Sequence, residues 1–293
     1  MQLGVKNFFL LGCSGLLGRH IYYALIKEKK DFICASRSKP SFIDKKLWRY
    51  IDLNKAKNTN YYCKNYNNIS HIIHAAGQLP LSGINLKKSS YLNINYNSIK
   101  TLCRWAIKKK IVLIFISGVI LSKNNLKKFI TSKENFKYIN SKKIAEDYVL
   151  KQISKGLKLV IIRPTSIYGW GIDKNKLLSK LLFFKKKQIN FNFKNNYLYN
   201  FVHAYDVARL VLHTIKYKIL GNFSIGGVFL DVYNLTKKIF YFRRKNITIN
   251  YNIQNHRLIN IYKFDSKPLK KIKFYNKISF KKGINLTIKK KVL

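Results

Sequence analysis

The chain has 293 residues, 47% of them hydrophobic, which is enough for a sizeable core in one large domain or two small ones. Its net charge of +47 comes from 58 basic and 11 acidic residues, and only nine of the basic residues are arginine. The lysines are spread along the whole length among many Asn, Ile, Tyr and Phe residues, types that share A/T-rich codons, so we attribute the charge to base composition and predict no nucleic-acid partner.

The cysteine pattern argues against metal binding and disulfide bonds. The four cysteines form no CxxC pair and the chain has no histidine cluster, so we predict no metal site and a reducing compartment. The longest apolar run, Ile111–Leu121, is too short to span a bilayer, so we expect no membrane association and a cytoplasmic location.

The first predicted element is a buried strand, Phe8–Leu11, which leads into the glycine loop GCSGLLG and then into a helix. A strand, three glycines three residues apart and a helix form the phosphate end of a dinucleotide site. Gly12 lets the chain turn sharply, Gly15 lets the backbone approach a pyrophosphate, and Gly18 lets the helix pack on its strand. Unpaired N–H groups at the start of the helix would bind the anion.

The second and third predicted strands bear on the choice of cofactor. Strand Phe32–Arg37 has Ser36 where NAD sites place an acid for the ribose 2′-hydroxyl, and Arg37 follows. Because arginine suits a 2′-phosphate, the sequence predicts NADP, with NAD possible. The third strand, Trp48–Leu53, contains Asp52, which would accept from the adenine amino group or cap the next helix.

The next elements predict the rest of a parallel sheet. The strand His71–Gly77 ends in small residues, which leave room for a cofactor to cross the sheet edge. A helix is predicted over Tyr91–Lys110, with Asn95 near its start, and a buried strand over Ile111–Ser117.

Candidate catalytic chemistry follows in Tyr138-Ile139-Asn140-Ser141-Lys142, which is predicted to open a helix. The spacing of four residues places Tyr138 and Lys142 on one face, where the ammonium would lower the pKa of the phenol. Tyr138 could then exchange a proton with a substrate oxygen, and Ser117, at the end of the fifth strand, could hydrogen-bond the same oxygen.

These motifs together make the chain resemble an extended short-chain dehydrogenase/reductase of the NAD-dependent epimerase/dehydratase family, which acts largely on nucleotide sugars. Beyond the glycine loop, the similar stretches are HIIHAAG, NYNSIKTLCRWA, YINSKKIAED, IIRPTSIYGWG, YNFVHAYDVARLV and FSIGG. The resemblance implies an α/β fold, a Rossmann-like doubly wound parallel sheet with a small C-terminal substrate-binding lobe. It assigns residues 1–165 to the NAD(P)-binding Rossmann domain and 166–293 to the substrate lobe, with 199–213 returning to the Rossmann domain.

The resemblance also implies roles for individual residues. The catalytic triad would be Ser117, Tyr138 and Lys142. The substrate would contact Ser166, His203 and Arg257, the last of these through a sugar-nucleotide phosphate. Including the positions predicted above, the cofactor-binding residues are Gly12, Ser14, Gly15, Leu16, Leu17, Gly18, Ser36, Arg37, Asp52, Leu53, Ala75, Ala76, Gly77, Asn95, Tyr138 and Lys142.

Two departures from the family pattern limit these assignments. The fifth strand reads FISGVIL, so the catalytic serine position could fall on Ser117 or on Gly118. The Thr-Asp-Glu run of the 4,6-dehydratases is missing there, so dehydration is not expected.

The sequence therefore predicts an NAD(P)-dependent oxidoreductase or epimerase acting on a nucleotide-linked sugar, with an NADPH-using ketosugar reductase as the first choice and a 4-epimerase as the alternative. A different class is a non-catalytic dinucleotide-binding scaffold that associates with RNA through its basic surface. Family analogy alone suggests a homodimer.

Overall fold

A central parallel sheet organises the computed structural model, which describes residues 8–66, 68–80, 88–121 and 133–293. Its seven strands within these residues are β1 (Phe8–Leu11), β2 (Phe32–Ser36), β3 (Trp48–Tyr50), β4 (His71–His74), β5 (Val112–Ile116), β6 (Lys158–Pro164) and β9 (Gly221–Ile225). They lie side by side in the order β3-β2-β1-β4-β5-β6-β9, and all neighbours are parallel. The predicted doubly wound parallel sheet is confirmed.

Strand β1 lies in the middle of the sheet and is covered on both faces. Phe8 pairs with Phe32 of β2 on one side and with His71 of β4 on the other. Successive side chains enter opposite cores: Leu10 packs in one, while Phe9 lies in the other. A run of apolar residues without alternation is what a strand buried on both faces requires.

Helices cover the two faces of this sheet. One face carries α1 (Leu16–Lys27) and α7 (Ala204–Lys216), which pack against each other. The helices on the other face are α2 (Ala56–Asn65), α4 (Ser98–Lys108) and α5 (Lys133–Lys151). Helix α5 already includes the five residues before Tyr138, so Tyr138 lies inside the helix instead of opening it. No glycine or proline lies in that first stretch, and Glu134 in the first turn favours the helix start.

The predicted helix Tyr91–Lys110 is interrupted. A short helix α3 (Lys88–Leu92) leads into a π-helical turn, Asn93–Asn97, before α4 begins. Asn95 lies in this turn and is 1% exposed. Single π turns of this kind are rare in helices and are frequent at functional sites.

A second sheet is built around the long strand β8 (Gln188–His203). It pairs with β7 (Ser166–Tyr168), β10 (Val228–Leu230) and β11 (Thr248–Asn260). Residues 174–196 contain the short helix α6 (Leu177–Leu182) and the first part of β8. The remaining helices are α8 (Val232–Phe242), α9 (Lys267–Lys271) and α10 (Phe280–Ile288).

The chain returns to the first sheet after β8. Strand β8 leads directly into α7, which packs on α1, and β9 then joins the edge of the parallel sheet beside β6. The division into two domains at residue 165 stays a prediction. Within the described part of the chain, no helix combines the length and apolar character needed to cross a bilayer.

Candidate active site

The glycine loop connects β1 to α1 at the carboxyl end of the sheet. Gly12 has a φ of +85°, and a Cβ there would lie 2.6 Å from the Cα of Ala76. A Cβ on Gly18 would lie 2.0 Å from the carbonyl oxygen of Gly12, so two of the three glycines are needed by the fold itself. At exposed Gly15 the nearest atom to a Cβ would be 3.4 Å away, so there the protein itself leaves room for a side chain.

The start of α1 is suited to an anion. Its N-cap is Gly15, no side chain caps the helix, and the first turn carries no acid. The N–H groups of this turn and the helix dipole are therefore open to a negatively charged group. A cofactor diphosphate would fit this open cradle, and the assignment of Ser14, Leu16 and Leu17 to the cofactor stays a prediction.

The end of β4 brings the glycine loop together with Asn95. The N–H of Ala75 donates to the carbonyl of Leu11 at 3.0 Å. A Cβ on Gly77 would lie 3.5 Å from Oδ1 of Asn95, which accepts from the N–H of Gln78 at 2.8 Å. The amide nitrogen of Asn95 donates to Oγ of Ser141 at 2.9 Å. This connects the glycine loop, through β4, to the helix that carries Tyr138 and Lys142.

The structure corrects the role expected for Ser36. Its hydroxyl donates to the carbonyl of Ser38 at 2.7 Å and accepts from Nε1 of Trp48 at 3.0 Å and from Sγ of Cys13 at 3.3 Å. The side chain is buried and its hydrogen-bonding capacity is used within the protein, so the hydroxyl is not free to bind a ribose. Arg37, the next residue, is exposed.

The two residues expected at the adenine differ in exposure. Asp52 is half-buried, and its Oδ1 accepts from the N–H of Asn54 at 3.0 Å, so its second oxygen remains available. Leu53 packs in the core below the sheet edge.

The ammonium of Lys142 is engaged at the end of β5. Its ammonium donates to the carbonyl of Ile116 at 2.9 Å and lies 4.6 Å above the ring of Phe115. Burial raises the pKa of Tyr138 to about 12. A lowering of that pKa by Lys142 beside an oxidised nicotinamide stays a prediction. Burial lowers the pKa of Lys142 to about 8, an effect that the carboxylate of Glu146 partly offsets.

Ser117 lies just after β5, and its hydroxyl donates to Oε2 of Glu146. The other carboxylate oxygen of Glu146 accepts from Nε and Nη2 of Arg163, at 2.9 and 2.6 Å. The hydroxyl hydrogen of Ser117 is therefore directed at a carboxylate, not at the mouth of the site. Whether Ser117 or Gly118 takes the catalytic serine position stays open.

The residues expected at the substrate do not come together in one cluster. Ser166 shares a 2.5 Å hydrogen bond with the hydroxyl of Tyr262. His203 is 2% exposed, caps α7 by accepting from the N–H of Tyr205, and packs against Tyr168. Its Nε2 is buried without a hydrogen-bond partner among the described residues, and its assignment to the substrate stays a prediction. Arg257 is exposed on β11 beside a bulge.

Three side-chain contacts in this region were not predicted from the sequence. Nε1 of Trp48 donates to Ser36, and Arg163 pairs with Glu146. The carboxylate of Asp206 accepts from the N–H groups of Lys277 and Ile278. In the described residues, no group of histidine, cysteine and acidic side chains could hold a metal ion.

A parallel sheet in this strand order, a glycine loop open to a diphosphate and a Tyr-Lys pair on α5 define a dinucleotide-binding enzyme of the extended short-chain dehydrogenase/reductase type. The sequence matches the model of the NAD dependent epimerase/dehydratase family over residues 8–226. The chain belongs to this family.

Solved structures give the same fold at low sequence identity. The UDP-glucose 4-epimerase of Thermotoga maritima, solved with UDP-glucose, matches with a TM-score of 0.77 and 19% identity over 97% of this chain and 98% of its own. The UDP-glucose 4-epimerase of Thermus thermophilus, in complex with NAD, has a TM-score of 0.74 and 16% identity over 97% of this chain and 98% of its own. The UDP-N-acetylglucosamine 4-epimerase of Bacillus cereus has a TM-score of 0.73 and 18% identity over 95% and 93%. No curated protein matches the sequence.

Proposed function

We propose that the protein transfers hydride between a nicotinamide cofactor and a carbon of a nucleotide-linked sugar, with Tyr138 as the acid/base group. The observation that carries this proposal is the chain of contacts from the glycine loop through Ala75–Gly77 and Asn95 to Ser141, which lies between Tyr138 and Lys142 on α5. It connects the proposed diphosphate cradle to the segment of α5 that carries Tyr138. The solved relatives whose names include UDP-sugars support the substrate class.

The bound nicotinamide would supply the hydride acceptor or donor. The side chains of the protein would exchange the proton and hold the cofactor and the substrate in place. With a pKa of about 12, Tyr138 is protonated at neutral pH, so it donates to a keto oxygen as that oxygen gains charge. The ammonium of Lys142, at the end of β5, would hold ribose hydroxyls, and Asn95 fixes the end of β4 against α5.

Two reactions fit this arrangement, and different observations favour each. A protonated phenol and exposed Arg37, with no acid at the end of β2, suit reduction of a ketosugar by NADPH. The relatives named as 4-epimerases, one of them solved with NAD, favour epimerisation with a retained cofactor. The residues used are the same in both cases.

Two measurements test the proposal and separate the alternatives. Native mass spectrometry of the purified protein should show a bound mass of NAD(H) or NADP(H). The protein is then incubated with UDP- and dTDP-linked hexoses and 4-ketohexoses. Stoichiometric loss of NADPH indicates a reductase, whereas interconversion of sugars without net cofactor change indicates an epimerase.

One outcome would overturn the proposal. If the protein shows no dinucleotide affinity and no turnover of any sugar nucleotide, but binds RNA at physiological salt, the scaffold hypothesis replaces it.

A further inference from the structure

Helix α5 carries a third polar residue on the face of Tyr138 and Lys142. Residues 138, 142 and 146 follow one another at intervals of four, so Glu146 lies one turn beyond Lys142. Glu146 is 7% exposed, so its carboxylate is one of the few buried ones among the 11 acidic residues of the chain. A buried carboxylate is costly unless it is paired and hydrogen-bonded.

Glu146 meets that requirement by joining three elements. Arg163 on β6 holds one of its oxygens with two donors, at 2.9 and 2.6 Å. The second oxygen accepts from the hydroxyl of Ser117, which lies just after β5. The backbone N–H of Ser117 donates to the carbonyl of Ile162 at 2.8 Å. The carboxylate is therefore fixed in orientation at the floor of the proposed site.

We propose that Glu146 is a positioning residue: it keeps the Lys142 ammonium charged at the end of β5 and holds the Ser117 hydroxyl hydrogen turned inward. This rests on the function proposed above. In this proposal Glu146 touches neither substrate nor cofactor, but it acts on Lys142 and Ser117, which would contact them.

The charges around Lys142 support this role. His74 on β4 lies close enough to influence Lys142, but burial lowers its pKa to about 3, so it is neutral. Tyr138 is neutral as well, because burial raises its pKa to about 12. Glu146 acts on Lys142 in the opposite direction to burial, while Arg163, bound to the same carboxylate, reduces its field. Without the carboxylate, the pKa of Lys142 would fall below about 8.

The test compares how cofactor affinity depends on pH. NADPH and NADH binding is followed by nucleotide fluorescence from pH 6 to 10 in the wild type and in Glu146→Gln. Nucleotide affinity should fall at alkaline pH, where Lys142 loses its proton. Gln keeps the shape of the side chain and an acceptor for Arg163, so loss of the Glu146 charge should shift this alkaline fall to lower pH by about one unit. Asp147→Asn is the matched control, because Asp147 is the next residue of α5 but faces solvent in an ion pair with Lys143. It should leave the alkaline fall where it is in the wild type.

A second variant covers a failure of Glu146→Gln to fold. Arg163→Gln removes the opposing cation, so the alkaline fall should move to higher pH. An unmoved alkaline fall in a folded variant overturns the positioning role and leaves the proposed function standing. If the wild type binds neither nucleotide at any pH, both the proposed function and this inference are overturned.

Discussion

Gly18 packs against the carbonyl of Gly12 so closely that a Cβ on Gly18 would lie 2.0 Å from that oxygen. The contact joins the first turn of α1 to the end of β1. Gly18 serves helix packing, whereas exposed Gly15 has room for a Cβ and is proposed to face the diphosphate.

Gly18→Ala should therefore destabilise the fold. A backbone oxygen cannot yield as a flexible side chain can, so we expect a loss of about 3 kcal/mol in the free energy of unfolding. At Gly15 a Cβ would lie 3.4 Å from the carbonyl oxygen of Gly12, and the φ is −75°. Gly15→Ala should therefore unfold like the wild type but bind NADPH and NADH more than tenfold more weakly. Urea unfolding and cofactor titration of both variants check this. Wild-type stability of Gly18→Ala would contradict the packing role.

Tyr138→Phe should reduce kcat by at least about a hundredfold, because it removes the proton that the reacting oxygen exchanges. Cofactor affinity should stay within twofold of the wild type. Tyr148→Phe is the control, since it makes the same change on the same helix where the ring packs against Tyr96. Steady-state turnover of the active sugar nucleotide is the measurement. Surviving activity in Tyr138→Phe would refute the assigned role.

Arg37→Ala should weaken NADPH binding about tenfold and leave NADH binding nearly unchanged. The reason is that a guanidinium contributes a charge-assisted hydrogen bond only when a 2′-phosphate is present. Lys45→Ala removes an exposed positive charge from the loop after β2 and should affect neither nucleotide. Equilibrium fluorescence titrations with both nucleotides provide the comparison. Equal losses for both nucleotides would argue against 2′-phosphate recognition.

Three buried histidines should make the protein sensitive to acid. Burial lowers the pKa values of His20 and His74 to about 3 and of His203 to about 4. Because these folded-state pKa values lie below the unfolded value of about 6.5, the unfolded state binds more protons, and stability falls as pH decreases from about 6.5 toward 4. Each histidine should cost up to about 2 kcal/mol between pH 6.5 and 5.

The measurement is the unfolding free energy of the wild type against pH, with His74→Phe and, as a control, the exposed His256→Gln. His74→Phe should flatten the acid slope, whereas His256→Gln should not. An equal slope in all three proteins would show that the buried rings do not control acid stability.

The sequence alone determined the features that depend on short-range spacing. Three glycines three residues apart, apolar strands bounded by turns, and a Tyr and a Lys four residues apart predict a strand, a loop, a helix and a shared helix face. The doubly wound parallel sheet followed from the same pattern, because right-handed crossovers leave few topologies for such a chain.

Only the tertiary structure decided which way the hydroxyls point and how easily the site residues ionise. The hydroxyl of Ser36 is hydrogen-bonded to Trp48, 12 residues further along the chain, and that of Ser117 to Glu146, 29 residues further along. Lys142 turns to the carbonyl of Ile116, and burial raises the pKa of Tyr138 to about 12. Hydrogen-bond partners and desolvation depend on neighbours that the fold brings from distant positions in the chain. The periodicity of the sequence does not predict these neighbours.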